Sequence, residues 1–114
     1  MDLHKKICTF EYIKVLVDEE GIILDAEINF LNFKYTDKEL MGKSWFDIFF
    51  DEKDIQNEKK AFNELLLRDG YLKYLTDIKC KNEKHKYINF IIHVKTIDNK
   101  SKRVEFFGFE HYLW

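Results

Sequence analysis

The sequence contains no proline and only four glycines, so it has little of what interrupts regular structure. Linkers and low-complexity segments are usually rich in such residues, and none is expected here. With 114 residues the chain is long enough for one domain with one core. Its apolar runs are too short to cross a bilayer, and no apolar signal core follows the first residues. A cytoplasmic location is therefore the default expectation.

The sequence also has few cysteines and histidines and a small net charge. The two cysteines, Cys8 and Cys80, form no close-spaced metal motif, and two thiols in a cytosolic chain are usually reduced. No pair of the four histidines has the spacing of zinc ligands, so no metal site is predicted. The net charge of -2 provides no basic field, which argues against nucleic acid as a partner.

Apolar residues make up 46% of the chain and aromatic residues 17%, which makes a packed aromatic core feasible. The most informative segment runs from residue 36 to residue 50 and predicts two short helices. Thr36 and Glu39 have the spacing of a capping box. Gly42 lies where a helix end often needs a left-handed residue, and Ser44 restarts a helix. Two short, capped helices in a strand-rich chain are typical of a pocket wall.

The N-terminal part of the chain predicts a β-hairpin between two short helices. Apolar residues alternate with others over residues 12–18, Gly21 allows a tight turn, and residues 22–24 form the return strand. Between residues 26 and 33 the apolar positions fit a short helix better than a strand. A further short helix is expected over residues 2–10.

The longest predicted helix covers residues 54–68, with Asp51 or Asp54 as its cap and Gly70 at its end. Its apolar stripe is interrupted at Glu58. Three strands follow, at residues 72–80, 87–96 and 104–110. The predicted fold class is α+β: a five-stranded antiparallel sheet with short helices and one longer helix over one face, plus a short N-terminal helix.

The predicted strands near the C-terminus carry apolar side chains on both faces. Phe90 and Ile92 lie on one face, whereas Tyr87 and Ile91 lie on the other. A sheet with one face in water does not need this pattern. We therefore expect the N-terminal segment and a homodimer contact to cover the second face.

The order of these elements and several motifs resemble PAS sensory domains over about residues 12–111. The resemblance is carried by Val15-Leu16-Val17-Asp18 with Gly21-Ile22-Ile23, by Tyr35-Thr36 through Leu40-Met41-Gly42-Lys43-Ser44-Trp45, by Asp47-Ile48, by Asp51-Glu52-Lys53-Asp54 and by Phe107-Gly108-Phe109. The sequence departs from the family at Ala26 and Glu27, where asparagine is frequent, and at Lys34, where glycine is common. His111-Tyr112-Leu113-Trp114 replaces a frequent Asp-Ile-Thr exit.

The resemblance implies a sensory domain over residues 12–114, preceded by a capping and dimerisation segment over residues 1–11. In such a domain a small ligand or cofactor occupies an apolar cavity between helices and sheet, and the change reaches an output domain. Family members suggest a histidine kinase or a cyclic-dinucleotide enzyme as the output, while the sensory domain itself is not an enzyme. The alternative is a ligand-free interaction and dimerisation module. A third hypothesis, a small proton-transfer enzyme, depends on His93 with Asp77.

The resemblance also bears on cofactors. Flavin photosensors of this family carry a cysteine near the small helices; residues 44–49 contain none, so covalent flavin is not expected. Haem-binding members place a histidine on the long helix; residues 54–68 contain none, so haem is not expected either, and His93 fits a strand histidine better than a haem ligand. A small organic ligand, noncovalent flavin and an empty aromatic core remain open.

The predicted cavity wall draws large apolar residues from most of the predicted elements, and a filled core would use the same residues. The apolar candidates are Leu24, Phe30, Leu31, Leu40, Trp45, Phe46, Phe62, Leu66, Ile78, Ile92 and Phe106. The candidates for polar contacts with a ligand are Tyr74 and Asn89.

Overall fold

The computed structural model describes residues 11–30, 33–98 and 100–110, which form one five-stranded antiparallel sheet and three helices. The strands are β1 (Tyr12–Val17), β2 (Ile23–Asn29), β3 (Gly70–Lys79), β4 (His85–Ile97) and β5 (Ser101–Glu110), and the helices are α1 (Asp37–Leu40), α2 (Trp45–Phe49) and α3 (Glu52–Leu65). This architecture confirms the predicted α+β class. No helix in these ranges is long and apolar enough to span a membrane.

The sheet has the strand order β2-β1-β5-β4-β3, so the first and last strands lie side by side. Ile13 faces Gly108 in the antiparallel register of β1 with β5. Successive side chains of a strand point to opposite faces of the sheet, so every second residue faces the helices. The fully or nearly buried strand residues on that face include Ile13, Val15, Val17, Ile78, Ile88, Phe90, Ile92, Val94, Val104 and Phe106.

The prediction of a short helix over residues 26–33 is wrong for residues 26–29, because β2 continues there as a strand. Leu24 is the extra residue of a β-bulge, since its two neighbours face consecutive residues of β1 and Leu24 faces none. The bulge shifts the inward positions of β2 from Ile23 to Ala26 and Ile28. A search for apolar residues at every second position therefore fails to identify the second half of this strand.

The two predicted helix starts near residues 36 and 44 are confirmed. Thr36 accepts a hydrogen bond from the backbone N–H of Glu39 at 3.3 Å, and Ser44 accepts one from the N–H of Asp47 at 3.4 Å. Gly42 between them has a φ of +78°. These local signals depend on neighbouring residues only, which is why the sequence is sufficient to predict them.

Helix α3 begins and ends slightly earlier than predicted. Asp51 occupies its N-cap position without a side-chain cap hydrogen bond; its carboxylate instead lies 3.1 Å from Nε2 of His85. Gly70 does not end the helix, which stops at Leu65, but begins β3. The helix predicted over residues 2–10 lies outside the described residues.

Backbone hydrogen bonds tie the start of α2 to the β1–β2 turn. The N–H of Trp45 donates to the carbonyl of Gly21, and the N–H of Ile23 donates to the carbonyl of Lys43, each at 2.8 Å. As a result the Phe46 ring lies directly over Gly21, where an added Cβ would overlap it. The turn therefore requires glycine both for its φ of +81° and for this close approach.

Replacing Gly21 with alanine is expected to destabilise the fold more than replacing Gly42. Both glycines have a similar positive φ, so each alanine carries a left-handed cost of about 1–2 kcal/mol. Only the alanine at residue 21 would also displace Phe46, which adds about 1–3 kcal/mol of overpacking, because nothing lies within 4 Å at residue 42. Urea unfolding of Gly21→Ala and Gly42→Ala measures the difference. Equal losses of stability would contradict the packing of Phe46 on this turn.

Candidate functional site

A cavity of about 90 Å³ lies between α3 and the inner side of β3, β4 and β5, beside α2. Its wall consists of Trp45, Phe46, Phe50, Glu58, Ala61, Phe62, Leu65, Leu72, Tyr74, Thr76, Phe90, Ile92 and Phe106. Most of these side chains are apolar, and only Glu58, Tyr74 and Thr76 carry a carboxylate or a hydroxyl. The cavity is therefore an apolar chamber with one polar corner.

Aromatic rings form the deep wall of the cavity. Trp45 stacks on Phe106 with ring centroids 4.0 Å apart and planes 10° from parallel. Phe90 meets Trp45 at 5.6 Å and 71°, and Phe46 meets Phe62 at 5.3 Å and 84°. Stacked and edge-on rings of this kind are favourable arrangements of the aromatic quadrupoles. The Ser44 cap sets the direction of α2 and so directs Trp45 onto the sheet.

The polar corner is formed where α3 crosses β3. The hydroxyl of Tyr74 lies 3.3 and 3.4 Å from the two carboxylate oxygens of Glu58 and donates to them. Burial raises the pKa of the Glu58 carboxyl, and the hydrogen bond from Tyr74 counteracts this only in part. Burial likewise raises the pKa of Tyr74. Within the described ranges, no lysine, arginine or histidine forms an ion pair with Glu58.

The structure brings part of the predicted wall together. The predicted residues that line the cavity are Trp45, Phe46, Phe62, Tyr74, Ile92 and Phe106. They come from α2, α3 and all three C-terminal strands, so the cavity forms only when the helices have packed on the sheet.

The other predicted residues lie elsewhere. Leu24 is 36% exposed because the bulge of β2 turns it away from the core. Asn89 lies between inward-facing residues of β4 and so faces the opposite side of the sheet. Leu66 is half-buried just beyond the last residue of α3 and packs against the core. Phe30, Leu40 and Ile78 are buried in the core outside the cavity, and Leu31 is outside the described residues.

Several residues of the wall were absent from the predicted set: Phe50, Glu58, Ala61, Leu65, Leu72, Thr76 and Phe90. For two of them the sequence held a usable indication. Glu58 interrupts the apolar stripe of α3 between Ile55 and Phe62, which places a carboxylate on the buried side of the helix. Phe90 precedes Ile92 by two residues and shares its face of β4.

The pair considered for proton transfer is not formed. His93 stacks on Tyr71 with ring centroids 4.1 Å apart, and Asp77 lies 3.1 Å from Nδ1 of His85. In the β3–β4 register, Tyr71 is the residue opposite His93, and Asp77 is several positions further along β3. At about 3.3 Å per residue, His93 and Asp77 are far beyond proton-transfer distance. No group of three or more metal-ligating side chains occurs among the residues that the structure describes.

Several solved structures that are similar to this chain are PAS domains. The PAS-B domain of Drosophila melanogaster Cycle, in a tryptophan-to-alanine variant with bound glycerol, has a TM-score of 0.72 at 13% identity over 87% of this chain and 99% of its own. The PAS domain of the Cronobacter turicensis RpfR quorum-sensing receptor, in complex with C12:0, has a TM-score of 0.67 at 13% identity over 90% of this chain and 95% of its own.

The PAS domain of an HTR-like protein from Haloarcula marismortui has a TM-score of 0.66 at 16% identity, over 96% of this chain and 91% of its own. The chain has the PAS fold. The predicted resemblance is thereby confirmed at the level of the fold. No family model matches the sequence, and no protein of curated function shows significant sequence similarity to it.

Glu58→Gln is expected to stabilise the PAS fold at pH 7 by a small amount. The pKa of Glu58 is higher in the folded protein than in the unfolded chain, so protonation of Glu58 stabilises the fold. This stabilisation is complete below the unfolded pKa and is lost as the pH rises through the folded pKa. The substituted amide would keep an acceptor for Tyr74 without the buried charge. Urea unfolding at pH 7 and at about pH 4, near the ordinary carboxyl pKa, measures the gain and its decline. Glu64→Gln, on the exposed side of α3, is the control, and an equal gain there would contradict this explanation.

Proposed function

We propose that this PAS-fold domain is a sensory module that binds a small molecule in the cavity beneath α3 and passes its state to an output domain. The observation that carries the proposal is the 90 Å³ chamber itself, which combines a rigid aromatic wall with a polar corner at Glu58 and Tyr74. Ligand sites in proteins commonly have this composition, with mostly apolar walls and a few placed polar groups.

The contacts that hold α3 support a role for this helix in transmitting ligand binding to the rest of the domain. In the described part of the chain, the contact of Tyr74 with Glu58 is the side-chain hydrogen bond that joins α3 to the sheet, and Asp51 with His85 joins its N-cap. The remaining attachment consists of apolar contacts, mainly of Phe62. A molecule that enters beneath the helix changes these contacts without breaking the sheet. The proposal requires that α3 can take up a second position, for which the ligand has a different affinity; this difference would supply the signal.

The size of the cavity indicates the size of the ligand. A cavity of roughly 150 Å³ accommodates benzene, so 90 Å³ suits a molecule with fewer than six non-hydrogen atoms. Sites for larger ligands are about 300–1,000 Å³. Among the similar structures, the PAS-B domain of Cycle holds glycerol and the RpfR domain is in complex with C12:0. Of the ligands left open by the sequence, a small organic molecule fits this cavity better than a noncovalent flavin.

The outer face of the sheet supports homodimerisation as a second part of the proposal. Tyr71, Leu75, Tyr87 and Ile91, here called the outer patch, project from β3 and β4 on the side away from α3. Tyr71 is 73% exposed and Tyr87 is 59% exposed. Several large exposed apolar side chains on one sheet face are typical of an interaction site, and here Lys73 and Asp77 lie among them, opposite Ile91 and Tyr87. We expect a second copy of the chain, together with residues 1–11, to cover it.

The outer patch also favours the second candidate function, a ligand-free interaction module. In that case the core would serve only to hold the sheet, and the cavity would admit no ligand. The output domain under either function is proposed to be a signalling enzyme, such as a histidine kinase or a cyclic-dinucleotide enzyme, in the cytoplasm. The two candidates differ in one observable property, which is access of a small molecule to the cavity.

Xenon is expected to enter the cavity and to shift the NMR signals of Leu65, Ile92 and the Trp45 indole, since apolar cavities bind xenon. Ala61→Leu should weaken xenon binding by at least about tenfold, because the larger side chain at the wall occupies the chamber. Asn63→Leu on the exposed side of α3 is the matched control and should bind xenon as the wild type does. Absence of any shift in the wild type would exclude the sensory proposal and leave the interaction module.

The wild-type protein is expected to sediment as a dimer, and Leu75→Lys is expected to weaken the dimer by at least about tenfold, because a charge would be buried at the outer patch. Leu67→Lys makes the same chemical change at an exposed position after α3 and should leave the dimer intact. Analytical ultracentrifugation over a concentration series measures both. A wild type that stays monomeric throughout would overturn the dimer proposal.

A further inference from the structure

We infer that the ligand of this cavity is a small organic amine whose ammonium group pairs with Glu58 and whose alkyl part lies among the aromatic rings. The inference rests on the proposed function, because it names the class of molecule that the proposed sensory site accepts. It follows from the charge, the wall and the size of the cavity.

The charge of the polar corner is not compensated within the described protein. Glu58 is half-buried, its hydrogen-bond partner is the neutral hydroxyl of Tyr74, and Asp54 on the same helix adds repulsion. The raised pKa of Glu58 reflects this cost. A half-buried carboxylate without a cationic partner is unfavourable, and an ammonium group brought by a ligand would offset the penalty. An ammonium has three N–H donors, enough to donate to both carboxylate oxygens of Glu58.

The wall of the cavity suits a cation with an apolar body. Trp45, Phe46 and Phe62 line the cavity, and a cation within about 6 Å of a ring centroid is attracted to the ring face. One cation of the protein already makes such a contact with this cluster, since Nζ of Lys59 lies 5.9 Å from the centroid of Phe46. The aromatic cluster and the carboxylate therefore favour the same sign of ligand charge.

The charge of the polar corner and the small volume of the cavity favour some ligand classes over others. Fewer than six non-hydrogen atoms fit the 90 Å³ chamber, which corresponds to an amine with a short alkyl chain. A carboxylic acid of the same length would place its negative charge against Glu58, and this repulsion discriminates against it. A neutral alcohol would also donate a hydrogen bond to the Glu58 carboxylate, but it lacks the positive charge with which an ammonium forms an ion pair.

The test compares three molecules with the same carbon skeleton: n-propylamine, 1-propanol and propionate at pH 7. Binding is followed by NMR through the indole N–H of Trp45, which lies in the cavity wall. Propylamine should bind at least about tenfold more tightly than propanol, and propionate should bind more weakly than propanol. Affinity of propanol equal to or above that of propylamine would overturn the inference, as would tight binding of propionate.

Two variants of α3 assign the preference to one residue. Glu58→Gln keeps the shape of the side chain and should lower the affinity for propylamine by about tenfold, while the affinity for propanol changes by less than about twofold. Glu64→Gln removes the same charge from the exposed side of the helix and should leave both affinities unchanged. Equal losses for propylamine in the two variants would show that net charge, and not the polar corner, selects the amine.

Failure of the inference can be distinguished from failure of the proposed function. If xenon and propanol bind but propylamine has no advantage, the cavity is a ligand site of another chemical class and the sensory proposal stands. If xenon, propanol and propylamine all fail to bind a protein whose unfolding is cooperative, both are wrong. Cooperative urea unfolding of each variant, measured before titration, ensures that a loss of binding is not a loss of folding.

Discussion

The backbone connection between the β1–β2 turn and the start of α2 is the constraint on which the cavity depends. Gly42 donates to the carbonyl of Ile23, Ile23 donates to Lys43, and Trp45 donates to Gly21, each at 2.8 Å. These bonds hold α2 at a fixed height above the sheet and bring Trp45 onto Phe106. Because the bonds are between backbone groups, they depend little on side-chain identity; the two glycines of the connection are favoured by their positive φ, and Gly21 also by the close approach of Phe46.

The chamber exists because flat, rigid rings support α3 without filling the space beneath it. Trp45, Phe62 and Phe106 hold helix and sheet apart, and their few preferred contact geometries leave a gap that aliphatic side chains would have closed. Glu58 is the residue of α3 that places a carboxylate, and not an apolar side chain, in the cavity wall. Under the proposed function, stability and ligand binding make opposite demands on this position.

The sequence was sufficient where a structural signal is local. The caps at Thr36 and Ser44 and the alternation of β4 involve only neighbouring residues, and the structure confirms each of them. The order of such elements was enough to indicate the PAS fold. The second half of β2 was missed because the bulge at Leu24 is fixed by pairing with β1, a contact distant in sequence. About half of the cavity wall was missed for a related reason. The three-dimensional packing of α3 on β3 decides which buried residues border the cavity, and hydrophobic periodicity in the sequence does not report this packing.

The central position of β1 and β5 has a consequence for how the domain is joined to other chains. Ile13 and Gly108 face each other across neighbouring strands, where paired residues are about 5 Å apart. Segments attached before residue 11 and after residue 110 therefore leave from adjacent points at the middle of the sheet. Domains with adjacent ends can be inserted into a loop of a host protein, or circularly permuted, with little distortion of either partner. Both flanking segments would also start next to β5, one of whose residues, Phe106, forms part of the cavity wall.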